Sequence, residues 1–168
     1  MKKLIPFVLI LLLAACPSYA QRFFANNAQT KQIFYNVIDP ENKTVEVLPH
    51  PEGQYRGTVI IPTTVVYRGE TYKVVSIKGF SDEGRGAFSR CESLTSVTIP
   101  NTVTTIEKGA FIDCLTLTTV IVHNASAVIE DSAFANCNAL EKVILNNKNV
   151  KVAENSFPKN TKIVYQNE

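Results

Sequence analysis

Apolar and polar residues alternate in three short segments of the second half of the chain. SVTIP (96–100), TVIVH (119–123) and KVILN (142–146) each place a valine and a second aliphatic residue at alternate positions. A period of two is typical of a β-strand with one buried face. The pattern therefore predicts short strands here, each with one inward and one outward set of side chains.

The same three segments belong to a longer repeating pattern. Copies occupy residues 86–108, 109–131 and 132–155, and a broken fourth copy begins at Ser156. They share A-F-x-x-C-x-x-L-x-x-V-x-apolar, then an asparagine-containing turn, then an isoleucine or valine. A fixed period of about 20 to 29 residues with this leucine spacing is typical of a leucine-rich solenoid. We therefore predict a mainly β, leucine-rich-repeat solenoid.

The repeat also predicts how the copies pack. Strands from successive copies should stack in parallel, because each copy can bury its apolar face only against its neighbours. Asparagine suits the turn after each strand, since it tolerates unusual backbone angles. The chain should then return through Ile106, Ile129 and Val152 to the alanine–phenylalanine pair, which we expect on a short helical turn or an irregular loop.

Residues 21–85 differ from the repeats but are also rich in predicted strands. IFYNVID and KTVEVLP are joined by the turn sequence PENK, and GTVIIP resembles SVTIP. VVYRGETYKVVSI predicts a hairpin with Gly69 in its turn and Tyr67 near Tyr72. We interpret 21–85 as an N-terminal cap with an incomplete first repeat and an inserted β-hairpin. Residues 86–168 then hold the repeats and a C-terminal cap ending in KIVYQ.

The segment 1–20 is predicted to be a signal peptide. Lys2 and Lys3 precede the apolar run LIPFVLILLLAA, which is too short to span a membrane and typical of a secretory segment. The protein is therefore expected to be exported.

The processing of this segment has two alternatives. Small residues at Ser18 and Ala20 suit cleavage before Gln21, which would give a secreted protein. LAAC, ending at Cys16, resembles a bacterial lipoprotein box, which would give an outer membrane lipoprotein acylated on Cys16. Either outcome places the protein in the cell envelope or outside the cell, and a lipid on Cys16 is the only membrane contact that the sequence suggests.

Charge excludes two classes of partner. Two of the 17 Lys and Arg residues lie in the predicted signal peptide, and none of the 15 Asp and Glu residues do, so the remainder is formally neutral. The chain also has no basic run. Nucleic acids and anionic lipid surfaces are therefore not expected as partners, because both are bound by clustered positive charge.

The cysteines at 91, 114 and 137 could be reactive or form a disulfide, but their place in the repeat favours a structural role. They occupy one column, where stacked strands bring neighbours within about 5 Å. That spacing permits one disulfide, although three cysteines cannot all pair. A repeated cysteine in this pattern is usually a buried, free, small apolar residue, and we predict that here.

Catalytic and metal-binding patterns are missing from the sequence. It has no CxxC pair, and its only histidines, His50 and His123, form no cluster with the cysteines. No serine–histidine–acid pattern, paired carboxylate motif or phosphate loop is present. We therefore expect no enzyme activity, no metal and no cofactor.

The outward strand positions are the candidate binding site. Exposed apolar stripes on solenoid strands often bind partners, although Ile, Val and Thr also simply suit strands. The predicted ligand-binding residues form one stripe and a second one beside it: Ile60, Thr98, Ile121, Ile144 and Val164, then Ser96, Thr119, Lys142 and Lys162.

LTSVTIPNTVTTIEKGAFIDC (94–114) and YRGTVIIPTTVVYRGETYKVVSI (55–77) resemble the BspA-type leucine-rich repeat family of bacterial secreted and surface proteins. The resemblance covers about residues 33–165. It implies a non-enzymatic binding or adhesion module of the cell envelope, with a protein or glycan ligand on a host or another cell surface. The alternative is a structural or assembly component of an envelope complex.

Overall fold

The computed structural model describes residues 21–26, 32–51, 54–80 and 84–166. Within these ranges the chain forms strands and turns and contains no helix, which confirms the mainly β prediction. The predicted signal peptide, residues 1–20 with Cys16, lies outside them. The strands are β1 (Arg22–Asn26), β2 (Gln32–Asp39), β3 (Thr44–Leu48), β4 (Gly57–Ile60), β5 (Thr64–Tyr67), β6 (Glu70–Ile77), β7 (Leu94–Ile99), β8 (Thr105–Ile106), β9 (Thr119–Val122), β10 (Val128–Ile129), β11 (Lys142–Leu145), β12 (Lys151–Val152) and β13 (Lys162–Tyr165).

One sheet, which we call the front sheet, carries the main strand of every repeat. It has five parallel strands in the order β13-β11-β9-β7-β4. Val97, Val120 and Val143 are direct partners in its register, so equivalent residues of successive copies stack. This arrangement confirms the predicted solenoid of parallel strands.

The second sheet, which we call the back sheet, has eight strands in the order β1-β2-β3-β6-β8-β10-β12, with β5 also paired to β6. Its two-residue strands β8, β10 and β12 contain Ile106, Ile129 and Val152, the predicted returning residues, which are direct partners. The sequence predicted that the chain returns through these three aliphatic residues. It did not predict that these segments pair into a sheet of their own.

The core consists of columns of identical residues that run from copy to copy. Phe88, Phe111, Phe134 and Phe157 stack with ring centroids 4.7, 4.6 and 5.0 Å apart. Equivalent leucines and valines form further columns that are fully buried: Leu94, Leu117, Leu140, Val97, Val120 and Val143. No copy could bury these side chains alone, and the stacked copies bury them continuously.

The turn that carries each phenylalanine is tight and repeated. Arg90, Asp113 and Asn136 occupy equivalent positions with φ of 58°, 62° and 59°, in the left-handed region. Asn136 Nδ2 donates to Asp113 Oδ1 at 2.8 Å, and Arg90 Nε lies 3.7 Å from Asp113 Oδ2. These turn positions are thus linked to one another on the surface. Of the two predicted alternatives, the short helical turn does not form and the segment is a non-helical turn.

The N-terminal strands extend the back sheet. β2 and β3 are antiparallel around the predicted turn, and β5 and β6 form the predicted hairpin, with Gly69 at φ 81° in its turn and the Tyr67 and Tyr72 rings 6.1 Å apart. β1 was not predicted. β4 pairs with β7 and β6 with β8, so both sheets continue past residue 85. The division at residues 85 and 86 stays a prediction.

Candidate functional site: the outward face of the front sheet

The structure brings all nine predicted binding residues together on one face. The register of the front sheet aligns them, with Thr58, in two columns that cross all five strands. We call the first the aliphatic column and the second the polar column. The aliphatic column is Ile60, Thr98, Ile121, Ile144 and Val164, and the polar column is Thr58, Ser96, Thr119, Lys142 and Lys162.

The two columns are accessible to different degrees. Ile60 is 39% exposed, because β4 lies at one edge of the front sheet. Lys142 and Lys162 are exposed, whereas Ile121 and Ile144 are half-buried between neighbouring strands. The face is therefore aliphatic and hydroxyl-rich along most of its length and cationic near β13.

Side-chain hydrogen bonds hold the edges of this face in place. At the start of the strands, Thr116 Oγ1 donates to Leu94 O at 2.9 Å and Thr118 Oγ1 to Thr95 O at 3.1 Å. At the end of β9, Asn146 Nδ2 donates to His123 O at 3.0 Å. Each bond links one copy to the next, so a partner would meet a surface that needs little ordering on binding.

The three predicted cysteines are free and buried. The thiol of Cys114 donates to Phe88 O at 2.9 Å, and that of Cys137 donates to Phe111 O at 3.0 Å. Burial raises the pKa of Cys91 to about 11. A buried, uncharged thiol is a poor nucleophile, and all three side chains pack in the core.

The raised pKa of Cys91 gives a pH-dependent prediction. Unfolding exposes the thiol and returns its pKa to about 8.5, so above that pH the unfolded state releases a proton that the folded state keeps. Stability contributed by this group is complete below pH ~8.5 and is lost as the pH rises to about 11, by up to about 3 kcal/mol. Urea unfolding at pH 7, 9 and 10.5 should show this decline. A Cys91→Ala variant should have a shallower decline between pH 9 and 10.5, and an unchanged slope contradicts the assignment.

Neither histidine forms part of a chemical site. His50 packs between Phe24 and Tyr55, with ring centroids 5.2 and 5.8 Å away. His123 is exposed in the turn after β9. In the part of the chain that the structure describes, no group of His, Cys, Asp or Glu side chains could hold a metal, and no helix could cross a membrane.

Other exposed features differ from the front face. A shallow groove of about 500 Å³ on the back sheet surrounds Val128 and is lined by Lys108, Lys151, Glu130 and Asp131, so it mixes charges of both signs. Further exposed apolar side chains, which the sequence did not single out, are Phe24, Ile38, Val66, Phe80, Leu115 and Ile163. They are not aligned strand by strand as the two columns are.

The repeats of this chain match a known family of sequences. A sequence model of the BspA type leucine rich repeat region matches residues 73–167, in six copies. The chain belongs to the BspA-type leucine-rich repeat family. The resemblance inferred from the repeat and the hairpin is thereby confirmed. No curated protein matches the chain.

Three solved structures match this chain, and the first of them shows the same architecture. A leucine-rich repeat protein from Bacteroides ovatus ATCC 8483 is 29% identical, with a TM-score of 0.57 over 80% of this chain. The chain spans 36% of that protein's length. A leucine rich cell surface protein from Faecalibacterium prausnitzii A2-165 is 15% identical, with a TM-score of 0.41. The match covers 87% of this chain and 55% of that protein. The pneumococcal vaccine antigen PcpA is 16% identical, with a TM-score of 0.31. The match covers 84% of this chain and 39% of that protein.

Proposed function

We propose that this protein is an exported, non-enzymatic binding or adhesion module of the bacterial cell envelope. It engages a protein or glycan ligand on a host or another cell through the outward face of the front sheet. The observation that carries the proposal is the alignment of the two columns, in register, over five consecutive strands. Membership of the BspA-type family supports it.

The chemistry of the face suits contact rather than catalysis. Its ten side chains are aliphatic, hydroxyl or ammonium groups, without the histidine or carboxylate that would activate a nucleophile. Half-buried aliphatic groups on a rigid sheet can be covered by a partner at low entropic cost, at about 25 cal/mol per Å² of apolar area buried. Ile121 and Ile144 lie at the centre and should contribute most.

Replacing both central isoleucines by aspartate should abolish most of the binding. The ligand can be found by panning a random 12-residue peptide library and a glycan array against the protein. We expect Ile121→Asp/Ile144→Asp to weaken binding of the selected ligand by about 100-fold, since two central apolar contacts are replaced by desolvated charges. Binding can be measured by biolayer interferometry.

The matched control is Val128→Asp, which adds a carboxylate to the outward face of the back sheet at a side chain that is 37% exposed. This variant should bind like the unmodified protein. Thermal unfolding should be cooperative for all variants, because the replaced side chains point away from the core. Equal capture by the double variant contradicts the strand-face proposal and favours the structural or assembly role, in which the ends of the sheets make the contacts.

A further inference from the structure

Two lysines of the polar column lie directly opposite each other. Lys142 of β11 and Lys162 of β13 are register partners, and adjacent strands are about 4.8 Å apart. Both are exposed. Neither takes part in the ion pairs formed within the described residues, which are Lys43–Glu70, Lys78–Glu46 and Arg90–Asp113.

Such a pair is unfavourable for the isolated protein. Like charges on directly opposite strand positions repel each other and destabilise the sheet. Lysine on an edge strand can discourage unwanted strand pairing, which explains Lys162 on β13. It does not explain Lys142, because β11 is paired on both sides, by β9 and β13. An anionic group bound between the two ammonium groups would relieve this repulsion.

The residues around the two lysines indicate which class of ligand would carry such an anionic group. Ile144 and Val164 follow them two positions along the same strands, and Ile121 is the next member of the aliphatic column. The two columns contain no aromatic side chain, amide or carboxylate. Aliphatic groups beside ammonium groups suit a chain that carries both acidic and apolar side chains. Sugars would need aromatic and amide partners that the columns lack.

We propose that the front face binds an acidic polypeptide segment, with its carboxylates on Lys142 and Lys162 and its apolar side chains on Ile121, Ile144 and Val164. The proposal rests on the strand-face function above and names its partner class. It also gives the bound segment an orientation, since the cations lie only at the β11–β13 end of the columns.

The test uses the full protein and a random 12-residue peptide library as the probe. Selected peptides should be enriched in Asp and Glu together with aliphatic residues. In fluorescence anisotropy, Lys142→Gln/Lys162→Gln should bind them about tenfold more weakly, and the salt dependence of binding should fall. The control Lys108→Gln/Lys151→Gln removes the same two charges at the back-sheet groove and should bind like the unmodified protein.

Reversing the charge of the two lysines is a stricter test than removing it. Lys142→Glu/Lys162→Glu should lose the selected peptides and bind versions in which their acidic residues are changed to lysine. Selection of peptides without acidic residues, unchanged affinity of the glutamine variant, or binding of heparin in place of any peptide overturns the proposal.

The neutral variant Ile121→Ala/Ile144→Ala distinguishes the acidic-partner proposal from the proposed binding function of the strand face. If peptides lose affinity for the alanine variant but not for the glutamine variant, the strand face binds and the acidic partner is wrong. If neither variant loses affinity, both proposals are wrong.

Discussion

Replacing Phe111 with alanine is expected to lower the free energy of unfolding by about 3–5 kcal/mol. The ring is fully buried and lies between two others, 4.7 Å from Phe88 and 4.6 Å from Phe134, with interplanar angles of 2° and 8°. Truncation removes both stacking contacts and leaves a cavity in the middle of the column. The neighbouring copies cannot close this cavity without breaking the hydrogen bonds of both sheets. Urea denaturation followed by circular dichroism measures the loss.

Leu115, which follows in the same repeat, is the matched control. Its side chain is 49% exposed, so Leu115→Ala should change the free energy of unfolding by less than about 0.5 kcal/mol. A loss below about 1 kcal/mol for Phe111→Ala would contradict the continuous phenylalanine column.

Leu117→Ala is expected to cost about 2–5 kcal/mol. Leu117 is fully buried at the position that Leu94 and Leu140 occupy in the neighbouring copies. It packs just before β9, so the cavity would lie between the two sheets of the central repeat. The same denaturation measurement applies. A change within about 0.5 kcal/mol, the size expected of a surface substitution, would show that the repeat register assigned to this leucine is wrong.

The repeat made the core columns predictable. Equivalent residues of successive copies meet the same environment, so a fixed spacing along the chain becomes a column in space, as Phe88, Phe111 and Phe134 show. The pairing of β8, β10 and β12 was not predicted because these strands have two residues each, too few for any periodicity. The left-handed backbone of the turns was also not predicted, because neither Arg90 nor Asp113 is a glycine, the residue that adopts this conformation most readily.

The composition of the candidate site was predictable from alternation alone. A period of two fixes which strand residues point outward, and the structure places all of them in register. The last strand follows β11 at a shorter interval than β11 follows β9, yet Lys162 still lies opposite Lys142. The exposure of each residue could not be predicted. Ile60 is open because β4 is at the edge of the sheet, whereas Ile121 has a strand on either side.

Methyl NMR can show directly whether ligands bind the outward face of the front sheet. Isoleucine δ1 methyl groups are present on that face at Ile60, Ile121 and Ile144, in the core at Ile106, and on the N-terminal cap at Ile38, which is 45% exposed. On saturation with a selected peptide, we expect shifts at the three strand-face methyls and none at Ile38. Shifts confined to Ile38, with the strand-face methyls unmoved, would contradict binding at that face.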